Sequence, residues 1–113
     1  MENWINKLPN KDILISKLKL PGTHHSAINK VSIHANEKLF NIVGRLKCIV
    51  DPMTVTQEHS VYKQLTMGVR FLDIRIAWWD NDIHVAHTYI GDKLEHVISE
   101  ILKFNSQFPT EPI

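Results

Sequence analysis

The chain has a single cysteine, Cys48, so it can form no internal disulfide bond. It lacks any apolar run approaching the roughly 20 residues of a membrane-spanning helix. The 13 basic and 12 acidic residues leave a formal net charge of +1 without a Lys/Arg cluster, which excludes a strong nucleic-acid footprint. Residues 1–11 contain no apolar segment of the secretory type, so we expect no signal peptide and a cytoplasmic or membrane-peripheral protein. The remaining composition, 43% hydrophobic and 22% charged, is that of an ordinary globular domain.

The first informative motif is Pro-Gly-Thr-His-His-Ser at residues 21–26. Apolar residues alternate from Ile13 to Leu20, which predicts a strand that ends in a tight Pro-Gly turn. Barrel and open-sheet enzymes carry catalytic groups at the carboxyl ends of their strands. His24 and His25 are therefore predicted to lie where an imidazole can exchange a proton near neutral pH.

A second predicted strand runs from Val69 to Ile76. Its residues alternate between two faces, and Asp73 and Arg75 point to the same side near its carboxyl end. A carboxylate and a guanidinium placed in this way can fix each other's geometry. The planar fork of Arg75 also suits a phosphate group.

A third predicted strand, Asp82 to His87, ends in a histidine. Three successive strands would bring this histidine to the same sheet edge as His24, Asp73 and Arg75. Two histidines around an arginine suit phosphodiester cleavage, because one takes a proton from the nucleophile and the other protonates the leaving oxygen. The arginine then stabilises the charged phosphorane.

In their order and spacing these motifs resemble the first half of the X-domain of phosphatidylinositol-specific phospholipase C. The metal-independent bacterial type and related X-domain-containing proteins are closer than the calcium-dependent eukaryotic enzymes. The matching segments are Asn3–Ile5 with Leu8–Pro9, Leu20–His24, Thr56–Gln57, Ser60–Leu65, Gly68–Arg75 and Val85–His87. The resemblance implies an α/β fold, namely a partial TIM-like (β/α) barrel comprising about its first half. Since such barrels have roughly 250 residues, we expect residues 1–113 to be the N-terminal part of a truncated X-domain.

The resemblance also implies roles for the site residues. His24 would be the general base on the inositol hydroxyl, and His87 the general acid on the diacylglycerol oxygen. Arg75 would bind and neutralise the phosphate, and Asp73 would orient its neighbours. The calcium-dependent branch has an acidic residue at the position of Arg75, so no metal and no other cofactor is implied. The expected substrate is an inositol phospholipid at a membrane surface, cleaved to diacylglycerol and a cyclic inositol phosphate by a phosphoric diester hydrolase or lyase.

Two positions depart from the family pattern. His25 stands where the bacterial type has an aspartate, and it is interpreted either as loop filler or as a substrate-binding phosphate donor. Thr88 stands where a glycine usually follows the second histidine, and its Cβ would narrow the approach to the leaving group. These departures keep open the alternative of a catalytically impaired relative that binds lipid or inositol phosphate.

A zinc site is a further alternative for the histidines. Its ligands would come from His24, His25, Asp73, His84 and His87. No His-x-x-His helix or cysteine pair supports it, and His84 and His87 fall on opposite faces of one strand. The oligomeric state stays open.

Three helices are predicted around these strands. Ser60 to Met67 forms a helix that Gly68 ends. A weaker helix is indicated by Leu39, Ile42, Val43 and Leu46 and is terminated by Asp51-Pro52. Asp92 and Glu95 form a capping box for the third helix. Its apolar stripe consists of Leu94, Val97, Ile98, Ile101 and Leu102.

Trp78 and Trp79 are interpreted either as packing beneath the loop or as a membrane-interface anchor.

Overall fold

A computed structural model of the chain describes residues 3–10, 12–30, 55–87 and 89–113. Within these ranges the protein is a small mixed α/β structure with two helices and two sheets. The strands are β1 (Gly22–Thr23), β2 (Phe71–Leu72), β3 (Ile76–Trp79), β4 (Asp82–His87) and β5 (Tyr89–Lys93), and the helices are α1 (Val61–Thr66) and α2 (Leu94–Gln107). The predicted helix at Leu39–Leu46 and the predicted effect of Thr88 lie outside the described residues.

The two sheets differ in direction. β1 and β2 pair in parallel, with Gly22 opposite Phe71, whereas β3, β4 and β5 form an antiparallel meander. The turn between β3 and β4 is Asp80–Asn81, with φ of 49° and 57°. A two-residue hairpin turn of this kind needs positive φ at both positions, which Asp and Asn tolerate well. The predicted single strand from Val69 to Ile76 is wrong, because residues 73–75 belong to no strand and separate β2 from β3. The expectation of three successive strands feeding one sheet edge is also wrong, since β2 pairs in the parallel sheet whereas β3 and β4 belong to the antiparallel one.

The predicted strand from Ile13 to Leu20 is also wrong. Ile15–Lys17 forms a short 3₁₀ turn instead, and Leu14 and Ile15 are exposed. Alternation alone does not produce a strand unless a partner accepts its backbone hydrogen bonds. Pairing begins later, where the Pro21 carbonyl accepts hydrogen bonds from the Arg70 and Phe71 amides at 2.9 and 3.2 Å.

Helix α1 confirms the prediction for residues 60–67. The Ser60 side chain accepts a hydrogen bond from the Lys63 amide at the N-terminus of the helix. Gly68 follows the helix with a φ of 107°, a conformation that favours glycine. The helix thus begins and ends at the residues that the local sequence indicates.

Helix α2 follows the prediction only in part. The capping box is wrong, because Asp92 belongs to β5 and the N-cap is Lys93, which makes no side-chain capping bond. The apolar stripe is shifted: Ile98 and Leu102 are exposed, whereas Val97 and Phe104 are buried. Residues spaced three or four apart share one helix face, so Phe104 continues the row begun by Val97 while Ile98 and Leu102 lie beside it.

The core lies where α1 and α2 meet the loop after β1 and the middle of β4. Its buried members are Ala27, Ile28, Val61, Leu65, Val85, Val97 and Phe104. An ion pair is buried beside it, with Arg70 Nη2 2.9 Å from Glu111 Oε2 and the Arg70 guanidinium over the Phe104 ring. Neither helix described here is long and apolar enough to cross a membrane.

Candidate functional site

The loop after β1 is held by hydrogen bonds to the segment that follows β2. The Ser26 amide donates to the Asp73 carbonyl at 2.8 Å. The Asp73 amide in turn lies 2.9 Å from Ser26 Oγ and 3.2 Å from the Thr23 carbonyl, which both accept from it. This reciprocal pairing continues the short parallel ladder and fixes the two His residues at positions 24 and 25 beside the Asp73 carboxylate.

A buried glutamine of helix α1 supports the same loop. Gln64 Nε2 donates to the Ser26 carbonyl at 2.7 Å, and Gln64 Oε1 accepts from Thr23 Oγ1 at 2.7 Å. The residue is only 3% exposed, so its polar groups need these partners. Sequence reasoning assigned Gln64 no role, although a polar residue between Val61 and Leu65 on a buried helix face is a signal that could have revealed one.

His24 is the exposed member of the site and is held by Asp73. Its Nδ1 lies 2.7 Å from Asp73 Oδ2, and its side chain is 70% exposed. Gln57 Nε2 fixes the backbone beneath it by donating to the His24 carbonyl at 2.6 Å. A hydrogen bond from Nδ1–H to the carboxylate leaves the Nε2 lone pair facing outward, which is the tautomer that a general base requires.

The Asp73 carboxylate gathers positive groups around it. Its Oδ2 accepts from the His25 amide at 3.4 Å and lies 3.9 Å from Arg75 Nη2. Burial alone would raise the pKa of Asp73. The hydrogen bond from His25 and the charges of Arg75 and His24 outweigh that effect, so the pKa lies below its ordinary value. Asp73 is therefore ionised at neutral pH.

His25 lies between the other two histidines. Its ring centroid is 3.9 Å from the ring of His24 and 3.9 Å from the ring of His87. The residue is 7% exposed and has a φ of 50°. Burial, and then the positive charge of Arg75, lowers the pKa of His25, so the ring is neutral at neutral pH.

Two ring nitrogens among the neighbouring imidazoles of His24, His25 and His87 lack a hydrogen-bond partner in the described part of the chain. Neither His25 Nδ1 nor His87 Nδ1, both buried, has a hydrogen-bond partner among the described residues. Buried polar atoms without partners are rare in proteins, and they concentrate where a ligand or a function explains them.

The described residues thus bring together the side chains of His24, His25, Asp73, Arg75 and His87, which come from three separate segments. The backbone links them as well, because the Ala86 amide of β4 donates to the Arg75 carbonyl at 2.9 Å. His84 is not part of the cluster; its Nδ1 lies 3.1 Å from the Gly91 carbonyl of β5. Of the five residues of the zinc alternative, His24, His25 and Asp73 are the three that come within ligand distance of one another.

Known proteins resemble the chain over nearly its whole length. It is 35% identical to PI-PLC X domain-containing protein 1 of Danio rerio over 99% of the chain. It is 33% identical, over 97% of the chain, to a PI-PLC X-box domain-containing protein of Dictyostelium discoideum. The chain is a homologue of the PI-PLC X-domain-containing proteins. It is also 28% identical, over 99% of its length, to the 1-phosphatidylinositol phosphodiesterase of Listeria monocytogenes.

This PI-PLC X-domain homologue corresponds to only part of each relative. The matches span 42% of the Danio rerio protein, 15% of the Dictyostelium protein and 31% of the Listeria phosphodiesterase. No protein-family model matches the chain, and no solved structure does either.

Proposed function

We propose that the protein is a phosphodiesterase that cleaves phosphatidylinositol-type phospholipids. The observation that supports this most directly is the meeting of a carboxylate-bound histidine, an arginine and a second histidine at one place. Homology to a phosphatidylinositol phosphodiesterase supports the substrate class. The products would be diacylglycerol and a cyclic inositol phosphate.

His24 acts as the general base in this proposal. Its Nε2 takes the proton from the inositol hydroxyl next to the phosphate, and that oxygen attacks phosphorus. The hydrogen bond from Nδ1 to Asp73, 2.7 Å long, holds the tautomer and stabilises the imidazolium that forms. Because the His24 side chain is exposed, a lipid headgroup can reach it without displacing the loop.

His87 and Arg75 serve the other side of the phosphate. His87 gives its proton to the diacylglycerol oxygen as the bond to phosphorus breaks, so one proton is taken and one is returned. Arg75 has a half-exposed guanidinium beside Asp73 and neutralises the charge that builds on the phosphate oxygens. Since a guanidinium supplies this charge, turnover needs no calcium.

The substrate would be met at a membrane surface. Trp78 is 69% exposed, and Ile76, two residues earlier on the same face of β3, is exposed as well. Ile76 directly follows Arg75, so this apolar face adjoins the phosphate-binding group. Indole side chains favour the depth of lipid headgroups, and peripheral contact through Trp78 would bring the site to its substrate.

In this proposal, residues 1–113 would form about the first half of a TIM-like barrel.

A second candidate function is binding without turnover. The observation that favours it is the position of His25, whose ring touches both the proposed base and the proposed acid. A phosphate must lie between those two groups, and an imidazole already occupies part of that space. In this case the protein would hold an inositol phosphate or lipid headgroup and release no product.

Turnover of phosphatidylinositol vesicles separates the two candidates. We expect the protein to release a cyclic inositol phosphate in the presence of excess chelator. His24→Ala and His87→Ala should each lower the rate at least about 100-fold, which is the usual contribution of one acid or base. His96→Ala, an exposed position on α2, is the matched control and should keep the parental rate.

Three results would each contradict a specific part of the proposal. Vesicle binding without product release would contradict the phosphodiesterase activity and support the second candidate, binding without turnover. A rate within a few-fold of the parent in either catalytic variant would remove the two-histidine mechanism. Loss of activity with chelator and its return with calcium would remove the metal-independent assignment.

A further inference from the structure

We propose that His24, His25 and Asp73 form a binding site for one divalent transition-metal ion of the zinc class. One nitrogen of each imidazole and one carboxylate oxygen all lie within 4.8 Å of one another. Two imidazoles and a carboxylate are a ligand set that zinc binds in proteins, with a water in the fourth position.

The unsatisfied nitrogen of His25 is an independent observation that points to a ligand. His25 is only 7% exposed, yet its Nδ1 has no hydrogen-bond partner among the described residues. A buried polar atom without a partner costs free energy, and in the tautomer that carries its proton on Nε2 the Nδ1 lone pair would be satisfied by a bound cation. His87 Nδ1 is unsatisfied in the same way, and the His87 ring centroid lies 3.9 Å from that of His25.

The three ligands can reach metal distances with a small adjustment. Zinc–nitrogen bonds of about 2.0–2.1 Å place tetrahedral ligands about 3.3 Å apart. The atoms farthest apart must therefore approach by at most roughly 1.5 Å. His24 is the side chain able to move, since it is 70% exposed. His25 and Asp73 are held by the hydrogen bonds of their loop and supply the fixed part of the site.

The donor set selects the class of metal. Calcium takes six to eight oxygen ligands, and this cluster offers nitrogen for two of its three positions. Imidazole instead suits zinc, copper and nickel. Arg75, 3.9 Å from the carboxylate, opposes any cation, but its side chain is half-exposed and can turn towards solvent.

Metal binding would inhibit the proposed reaction. A neutral imidazole has one nitrogen with a free lone pair, so a metal ion on either nitrogen of His24 leaves none for the general base, and occupancy and turnover exclude each other. Inhibition depends on the proposed function, whereas binding of the ion does not. The metal site is therefore tested by measuring binding, and a protein without catalytic activity could still bind the ion.

Calorimetry on the chelator-treated 113-residue chain tests the site. Zinc chloride should bind at one ion per chain with a Kd of about 10 μM or tighter, and calcium chloride should give no binding heat. Cobalt(II) should bind at the same stoichiometry and develop the strong visible absorption of tetrahedral coordination. Cys48→Ser, which removes the only cysteine, should bind zinc as the parent does.

Matched histidine variants locate the ion. His24→Gln and His25→Gln should each weaken zinc binding at least about tenfold, while His96→Gln on the exposed face of α2 should leave it unchanged. His24→Gln alters an exposed side chain, so it remains informative if His25→Gln fails to fold. Parental zinc affinity in His24→Gln, loss of binding in Cys48→Ser, or no one-to-one binding at all would overturn the proposal.

Discussion

At the scale of single residues, His25 is the member of the candidate site whose ring lies between those of His24 and His87. His25 has a φ of 50°, a left-handed conformation in which His, Asp and Asn are all enriched. An aspartate can therefore adopt the same backbone, keep its amide near Asp73 and place a carboxylate where the buried imidazole now lies. That carboxylate would face Arg75 and the unsatisfied Nδ1 of His87, which are groups that a neutral ring cannot pair in the same way.

We predict that His25→Asp raises the rate of phosphatidylinositol cleavage about tenfold. The substitution removes the ring between His24 and His87, and it supplies an acceptor for the proposed acid. The pH optimum should move upward, because a nearby carboxylate favours protonated imidazoles. The measurement is a pH–rate profile on phosphatidylinositol vesicles.

His25→Asn is the control for this prediction, since asparagine matches aspartate in size and carries no charge. An equal gain in the Asn variant would assign the effect to space rather than to charge. Profiles identical to the parent in both variants would mean that His25 only fills the loop.

At the scale of elements, local signals predicted the parts of the fold that depend on neighbours in sequence. Ser60 and Gly68 mark the ends of α1, and the strand from Asp82 to His87 was predicted with its observed bounds. The Ile13–Leu20 prediction failed because a strand also needs a partner, and here the chain forms a 3₁₀ turn. Asp92 failed as a cap because pairing with β4 extends β5 up to the first residue of the helix.

The same distinction holds for the candidate site. The motif residues His24, Asp73, Arg75 and His87 were identifiable from the sequence, because each follows or ends an apolar segment. The position of His25 between two rings was not, since it follows from the reciprocal pairing of residues 26 and 73 and from the placement of β4 in a second sheet. The tertiary arrangement, rather than any local pattern, therefore determines which imidazoles touch.

One acidic side chain joins three segments of the chain beside the core. Glu111, 3% exposed, accepts hydrogen bonds from the Ile5 and Asn6 amides and from the Arg70 guanidinium. It thereby attaches the N-terminal 3₁₀ turn, residues 5–7, to the segment that leads into β2. A charged acceptor is required here, because Arg70 is buried and carries a full positive charge.

We predict that Glu111→Gln loosens the N-terminal turn. Removing one charge of a buried pair costs about 3 kcal/mol, so hydrogen exchange at the Ile5 and Asn6 amides should accelerate by up to about 150-fold. Glu100→Gln is a matched control, since Glu100 accepts from the Tyr62 amide at 2.9 Å. The Glu100→Gln variant should accelerate exchange at Tyr62 and leave residues 5 and 6 unchanged. Unchanged exchange at residues 5 and 6 in Glu111→Gln would disprove the role of Glu111.

At the scale of the whole molecule, the described residues leave much apolar surface and backbone uncovered. Exposed large hydrophobic residues occur on both sheets and on α2, namely Phe71, Ile76, Trp78, Ile98 and Leu102. The parallel sheet consists of two strands of two residues each, and parallel sheets are normally covered on both faces. Within residues 3–10, 12–30, 55–87 and 89–113 the buried hydrophobic cluster holds seven residues, so this part of the chain sets little apolar burial against the entropy of unfolding.

We predict that the isolated 113-residue chain unfolds over a broad temperature range and associates as its concentration rises. The small core seen in the described residues predicts weak cooperativity, and their uncovered strand edges and apolar faces offer surface for contact between molecules. Scanning calorimetry at several concentrations, together with sedimentation velocity, measures both properties. Trp78→Ser should reduce association without sharpening the transition, because this side chain is exposed and outside the core. A single sharp transition of a monomer, with calorimetric and van't Hoff enthalpies equal, would show that the small core is sufficient on its own.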